Sequence, residues 1–281
     1  MIALTTIKPT YTTDKINKIL KKYREVTFAK GTYNLTGILN IYSNTTIICE
    51  EGAVFRRCHN LRLMEFVYSA KTTKYGGTHD VIWKGGTFVC DLTSPGSLGM
   101  VMCHSKNITI SDVTFAGCNG AHCIEINSSK NVKILNCTFK NHIPENGKTT
   151  KEAIQIDFAY FDGLAITGAD GNSPVYDGTH CSDIIVDGCI FDRCVNGIGT
   201  HTICELERYH TNIKITNCKF TNIQIAAIKV LSMKDVQIFN CDAECIQVNK
   251  TQTAHKVSGG KIKLAMDRHS ANVKIDNVTI S

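Results

Sequence analysis

The chain has 281 residues, 43% of them hydrophobic and 20% charged, with a formal net charge of +6. This is the balance of a globular protein, and the scattered basic residues, without interleaved aromatics, argue against a nucleic-acid partner. No apolar stretch approaches the roughly 18 residues of a membrane span, and the fourteen cysteines include no CxxC pair of the kind that holds zinc.

The start, "MIALTTIKPTYTTDK", lacks a charged segment followed by an apolar run, so no signal peptide is expected. Next, "TTDKINKILKKYREV" places Ile16, Ile19, Leu20 and Tyr23 on one helical face. The short basic run inside it reads as the solvated face. The expected domain layout is an N-terminal segment and capping helix over 1–24, then one repetitive domain over 25–281.

That domain is built on a repeat. An Asn or Asp precedes an apolar-x-apolar triplet at Asp80, Asn107, Asn131, Asp183, Asn212, Asp235 and Asn272. The alternation predicts a strand, and most steps lie in the twenties, the mark of a solenoid. Five places on, Gly85, Asp112, Asn136, Gly188, Asn217, Asn240 and Asn277 tolerate a left-handed backbone, so a bend is expected there. Three residues beyond the bend come Phe88, Phe115, Phe139, Phe191 and Phe220, which predict an internal stack. Between bend and Phe, Cys137, Cys189, Cys218 and Cys241 alternate with Val113 and Val278. A column that accepts either residue asks for a small buried apolar group, not a ligand or a disulfide.

A second strand follows in most coils: "CIEIN", "AIQID", "GIGTH", "AIKVL" and "CIQVN". The long step from Asn131 to Asp183 holds one such strand, so it is one coil with insertions. Short strands, regular bends and this period predict an all-β, single-stranded, right-handed parallel β-helix, because parallel crossovers are right-handed. A β-sandwich would need hairpin turns that do not fall between these strands.

In the second strand the residues between the inward aliphatics point outward. Coil by coil they read Glu125 and Asn127, Gln155 and Asp157, Gly199 and His201, then Lys229. Insertions at 141–152, 158–180 and 202–210 leave the core beside this column, and long loops of this kind are usually functional. They bring Tyr160, Asp177, Arg208 and His210, which suit sugar binding. Glu125 and Asp157 are one strand apart and two residues along, about 8 Å by strand geometry. That separation leaves room for a water, as in inverting glycosidases. The expected roles are Asp157 as general acid and Glu125, or Glu152 in reserve, as base. His201 would assist, with Lys229, Gln155, Asn127, Arg208, His210, Tyr160 and Asp177 holding a glycan. No metal or cofactor is expected.

The order Asp, His, Lys over successive coils resembles polygalacturonase-type glycoside hydrolases. The matching stretches are "QID", "GTH" and "IKV", which carry over Asp157, His201 and Lys229; the family's paired Asp-Asp is missing, and Ile228 stands where it has Arg. The stretches "KGTYNLTG", "SNTTIICEEGAVFRR", "KEAIQID" and "GIGTHT" followed by "HTNIKITNCKF" resemble β-helix tail-spike and tail-fibre proteins of phages, over roughly Asp14 to Asn249. That resemblance implies a virion protein folded in the host cytoplasm, or otherwise an extracellular one. It also implies binding, and often cleavage, of a bacterial surface polysaccharide, and homotrimers are usual in the family. A non-catalytic glycan-binding tail module and a polysaccharide lyase are the alternatives on the same fold.

Overall fold

A computed structural model describes residues 5–90, 99–118, 121–142, 151–161, 164, 166–200, 209–245, 254–256, 263–266 and 271–276. Among these, the strands form three sheets of ten, nine and eight strands, and neighbours in a sheet come from successive coils. Pairing is parallel, except where Ala254–Lys256 meets Lys263–Met266. The coil starting at Lys130 shows the pattern. Lys130–Leu135 joins the ten-stranded sheet, Thr138–His142 the eight-stranded and Glu152–Asp157 the nine-stranded. Val132 then pairs with Ile184, so the long step is one coil. Sequence periodicity finds the first and last of these strands; the middle one is the Phe column itself.

Left-handed residues make the corners, and two of them flank the first strand of most coils. Asn107, Asn131, Asp183 and Asn212 open the first strand with φ of 55, 51, 57 and 55°, and Asp112, Asn136 and Asn217 close it with φ of 57, 51 and 53°. Short Asx side chains tolerate this conformation because they hydrogen-bond locally. Here they bond to the next coil: Asn107 Nδ2 donates to Asp80 Oδ1 at 2.7 Å and Asn131 Nδ2 to Asn107 Oδ1 at 2.9 Å. Gly188 takes the bend with φ of 64°, and a Cβ there would sit 2.5 Å from Asn136 Oδ1.

Inside, Phe88, Phe115, Phe139, Phe191 and Phe220 stack in sequence, with centroids 5.4, 5.1, 4.8 and 4.7 Å apart. Phe55 and Tyr33 extend the stack towards the N-terminus. Cys137, Cys189, Cys218 and Cys241 form their own buried column. Among the described residues the cysteines are thiols, not disulfides. Burial, the largest cause, pushes the Cys194 thiol up to about 12. Thiols so shifted pack as small apolar groups and are poor nucleophiles.

The helix Thr13–Lys22 begins at Thr12, whose side chain accepts from Lys15 N. Ile16 and Leu20 are fully buried and Ile19 partly so. The helix lies on Leu39–Ile41, the end strand of the nine-stranded sheet. Asn17 closes that open edge: its Nδ2 donates to Ile38 O at 2.8 Å and its Oδ1 accepts from Asn40 N at 2.9 Å. An edge satisfied in this way no longer invites another strand.

Candidate active site on the nine-stranded sheet

The outward face of the nine-stranded sheet carries two columns. Glu65, Val101, Glu125, Gln155, Gly199 and Lys229 stand in register across successive coils. Two residues along, Cys103, Asn127 and Asp157 do the same. Glu125 and Asp157 are therefore one strand apart and offset by two residues. Each carboxylate is held by the amide on its own strand. Asn127 Nδ2 donates to Glu125 Oε1 at 2.9 Å, and Gln155 Nε2 donates to Asp157 Oδ2 at 3.0 Å. Phe158 N donates to the other oxygen of Asp157 at 2.9 Å. Acid and amide thus alternate in a checkerboard over two coils. The four side chains are 5% or less exposed.

A second charged group lies three residues upstream. Glu152 is fully buried, and Lys229 Nζ reaches its Oε1 across the Asn196–Gly199 strand. Gly199 makes the crossing possible, because a Cβ there would fall 2.6 Å from the Lys229 Cβ. His122 adjoins the pair. Its Nδ1 donates to Glu152 O at 2.7 Å and lies 3.8 Å from Glu152 Oε2. No sequence signal marks His122 beyond its place just before Cys123 and Ile124. Glu152, expected as the reserve base, and Lys229, expected as a glycan ligand, are each other's partners in a buried ion pair.

The insertion after Asp157 folds down onto the sheet. Val101 and Cys103, which continue the two outward columns, pack with Ala159, Leu164 and Val175 in a small second core. His104, fully buried, clamps this layer: Nε2 meets Val175 O at 2.7 Å, and Nδ1 meets Lys74 O. Tyr176 donates to Leu164 O at 2.9 Å, while Phe161 lies edge-on to it and is 52% exposed. The polar checkerboard is therefore bounded, on its N-terminal side, by an apolar rung covered by the loop. Burial is the largest cause that raises the Cys103 thiol, and the Glu125 charge adds to it.

The remaining expected ligands divide. Tyr160 is half-buried and leans on Phe158, with centroids 5.4 Å apart. Asp177 shapes a turn, accepting from Lys74 N at 2.7 Å and Thr179 N at 2.8 Å, which lowers its carboxyl pKa although burial opposes this. Its oxygens tie the Lys74 segment to its own turn. His210 is fully buried and its Nδ1 accepts from Cys181 N at 3.0 Å. It is a core residue rather than part of a loop wall. Its pKa is lowered to about 3, chiefly by burial and then by His180. His201 and Arg208 lie outside the described residues, as do most of the insertions at 141–152 and 202–210.

Over 226 residues the chain is 26% identical to plasmin and fibronectin-binding protein A of Streptococcus pneumoniae, covering 68% of this chain and 30% of that protein. It thus spans under a third of the length of this relative. Among solved structures it resembles PfbA, a surface adhesin of Streptococcus pneumoniae, with a TM-score of 0.73 at 20% identity, covering 99% of this chain and 73% of the other. It also resembles ORF18 of Geobacillus virus E2, with a TM-score of 0.61 at 13% identity over 85% of this chain and 49% of the other. The iota-carrageenase of family GH82 from A. fortis follows, with a TM-score of 0.59 at 15% identity over 91% and 57%. At these identities the shared property is the fold, found alike in an adhesin, a phage protein and a glycoside hydrolase. The family model for the right-handed β-helix region matches residues 76–280, and the chain belongs to that family.

Proposed function

We propose that the chain binds a bacterial surface polysaccharide and cleaves it by glycoside hydrolysis, as the tail spike of a phage. The observation that carries the reading is the outward checkerboard, in which Glu125 and Asp157 sit one strand apart and two residues along. Strand geometry separates their backbones by about 8 Å, a spacing from which the side chains can set their carboxyl groups about 6.5–9.5 Å apart, as inverting acid/base pairs require. Asp157 would protonate the leaving oxygen, and Glu125 would take a proton from the attacking water, which adds to the anomeric carbon as the glycosidic C–O bond breaks. Asn127 and Gln155 hold the two carboxylates in place. Cysteines kept as thiols suit folding in a reducing host cytoplasm. The phage protein among the structural neighbours supports the virion setting.

Incubation with purified surface polysaccharides, with fragments weighed by mass spectrometry, tests this. Hydrolysis adds one water to each cut, whereas a lyase adds none and leaves a new C=C bond. Asp157→Asn should lower the rate by at least about a hundredfold without changing the circular dichroism spectrum. Full activity of that variant would remove Asp157 from the mechanism.

A binding module without catalysis is the second reading. It is favoured by the near-complete burial of both carboxylates and by the relative named for plasmin and fibronectin binding. It predicts retention on the polysaccharide with no fragments released.

A further inference from the structure

The ten-stranded sheet also has an outward face, remote from the checkerboard in the coil. One column on it reads Lys133, Ile185, Lys214, Gln237, Lys274, each in register with the next. The lysines recur on every second coil, so their backbones are about 9.6 Å apart along the solenoid axis. All three are exposed. Among the described residues no ion pair ties them down, whereas Lys84 and Lys130 on the same sheet lie within reach of Asp112 and Asp183. Over the last coils the face forms a groove of about 670 Å³ whose lining includes Lys214, Gln237, Phe239 and Lys274. Phe239 is 41% exposed and offers an apolar platform. The groove also holds Asp187 and Asp276. Asp187 is committed to Thr216 Oγ1 at 2.5 Å and Asn217 Nδ2 at 2.7 Å.

We propose that this face binds an extended anionic polysaccharide, laid along the solenoid axis, with one negative group per two sugars. A pyranose ring with its linking oxygen is about as long as one strand spacing of ~4.8 Å. Every second sugar then meets a lysine, while Ile185, Gln237 and Phe239 meet the rings between charges. A nucleic-acid duplex fits poorly, because the phosphates of each strand advance by about 3.4 Å along its axis and would crowd several charges against each lysine. At physiological salt the screening length of about 8 Å is shorter than the lysine interval, so each lysine acts on its nearest anion alone and register matters. The inference does not depend on the hydrolytic reading, since no residue is shared between the two faces.

Binding of hyaluronan oligosaccharides, which carry one carboxylate per disaccharide, tests the proposal, with neutral dextran and oligo-dT as comparisons. The triple variant Lys133→Gln, Lys214→Gln, Lys274→Gln should lose about tenfold in affinity. The equal-charge control Lys18→Gln, Lys21→Gln, Lys22→Gln, on the exposed face of the helix, should lose less than about twofold. Asp157→Asn should bind hyaluronan as the parent does, which separates this site from the checkerboard. Three results overturn the proposal: no binding of hyaluronan by the parent, equal losses in the two triple variants, or equally tight binding of oligo-dT with the same dependence on the three lysines.

Discussion

Two sides of the same coil obey different rules. On the corner after the ten-stranded sheet, the coils of Asp112, Asn136, Gly188 and Asn217 repeat one pattern: an Asx or Gly bend, then a thiol or valine, then a phenylalanine. Like stacks on like, so each of these phenylalanines meets another about 4.8 Å away along the solenoid. On the outward face of the nine-stranded sheet the repetition fails. Valine is followed in register by glutamate, glutamine, glycine and lysine. There the chain buries charge and satisfies it either within a strand, as Asn127 satisfies Glu125, or from another coil, as Lys229 satisfies Glu152 across Gly199. Repetition gives stability through many equivalent contacts; departure from it concentrates polar groups that cost free energy unless each is paired.

The contrast can be broken most sharply at the ion pair. Lys229→Met leaves the Glu152 carboxylate buried without that cation and should destabilise by about 3–5 kcal/mol, measured by urea unfolding. The double variant Glu152→Leu, Lys229→Met should recover most of the loss; no recovery would mean that the pair is not the cause.

Acid should have the next greatest effect. His210 has its folded pKa depressed to about 3, so the unfolded chain binds the extra proton first. Its contribution is fully present above the unfolded histidine pKa of about 6.5 and is lost, at about 1.4 kcal/mol per pH unit, as the pH falls towards 3. His142 is shifted in the same direction, chiefly by burial, and adds to the effect. Urea midpoints compared at pH 7 and pH 5 should show a smaller drop for His210→Gln than for the parent, because glutamine accepts from Cys181 N without titrating.

The smallest effect is expected where repetition rules. Cys189→Val keeps size and apolarity in a column that elsewhere contains Val113, so it should cost less than about 1.5 kcal/mol in the same unfolding assay. A loss comparable with that of Lys229→Met would show that the thiols do more than pack.

The solenoid is legible in the order of residues alone. Alternation in "NVKIL", the Asx bends and the Phe column are local signals repeated many times, and repetition averages out the ambiguity of any single strand. The register that offsets Glu125 from Asp157 is legible too, because strand position follows from the same alternation. Which outward polar groups face one another emerges only when the coils are stacked. Lys229 finds Glu152 rather than solvent because Gly199, two residues short of the expected His201, opens a passage between coils. His122 joins them although nothing periodic marks it. Loop fate is equally illegible: residues 158–180 have no period, and Ala159, Leu164 and Val175 lie on the sheet because Val101 and Cys103 present an apolar rung for them to cover. Periodic patterns fix where a backbone goes, whereas pairing between distant coils depends on side-chain reach and room, which a linear pattern does not record.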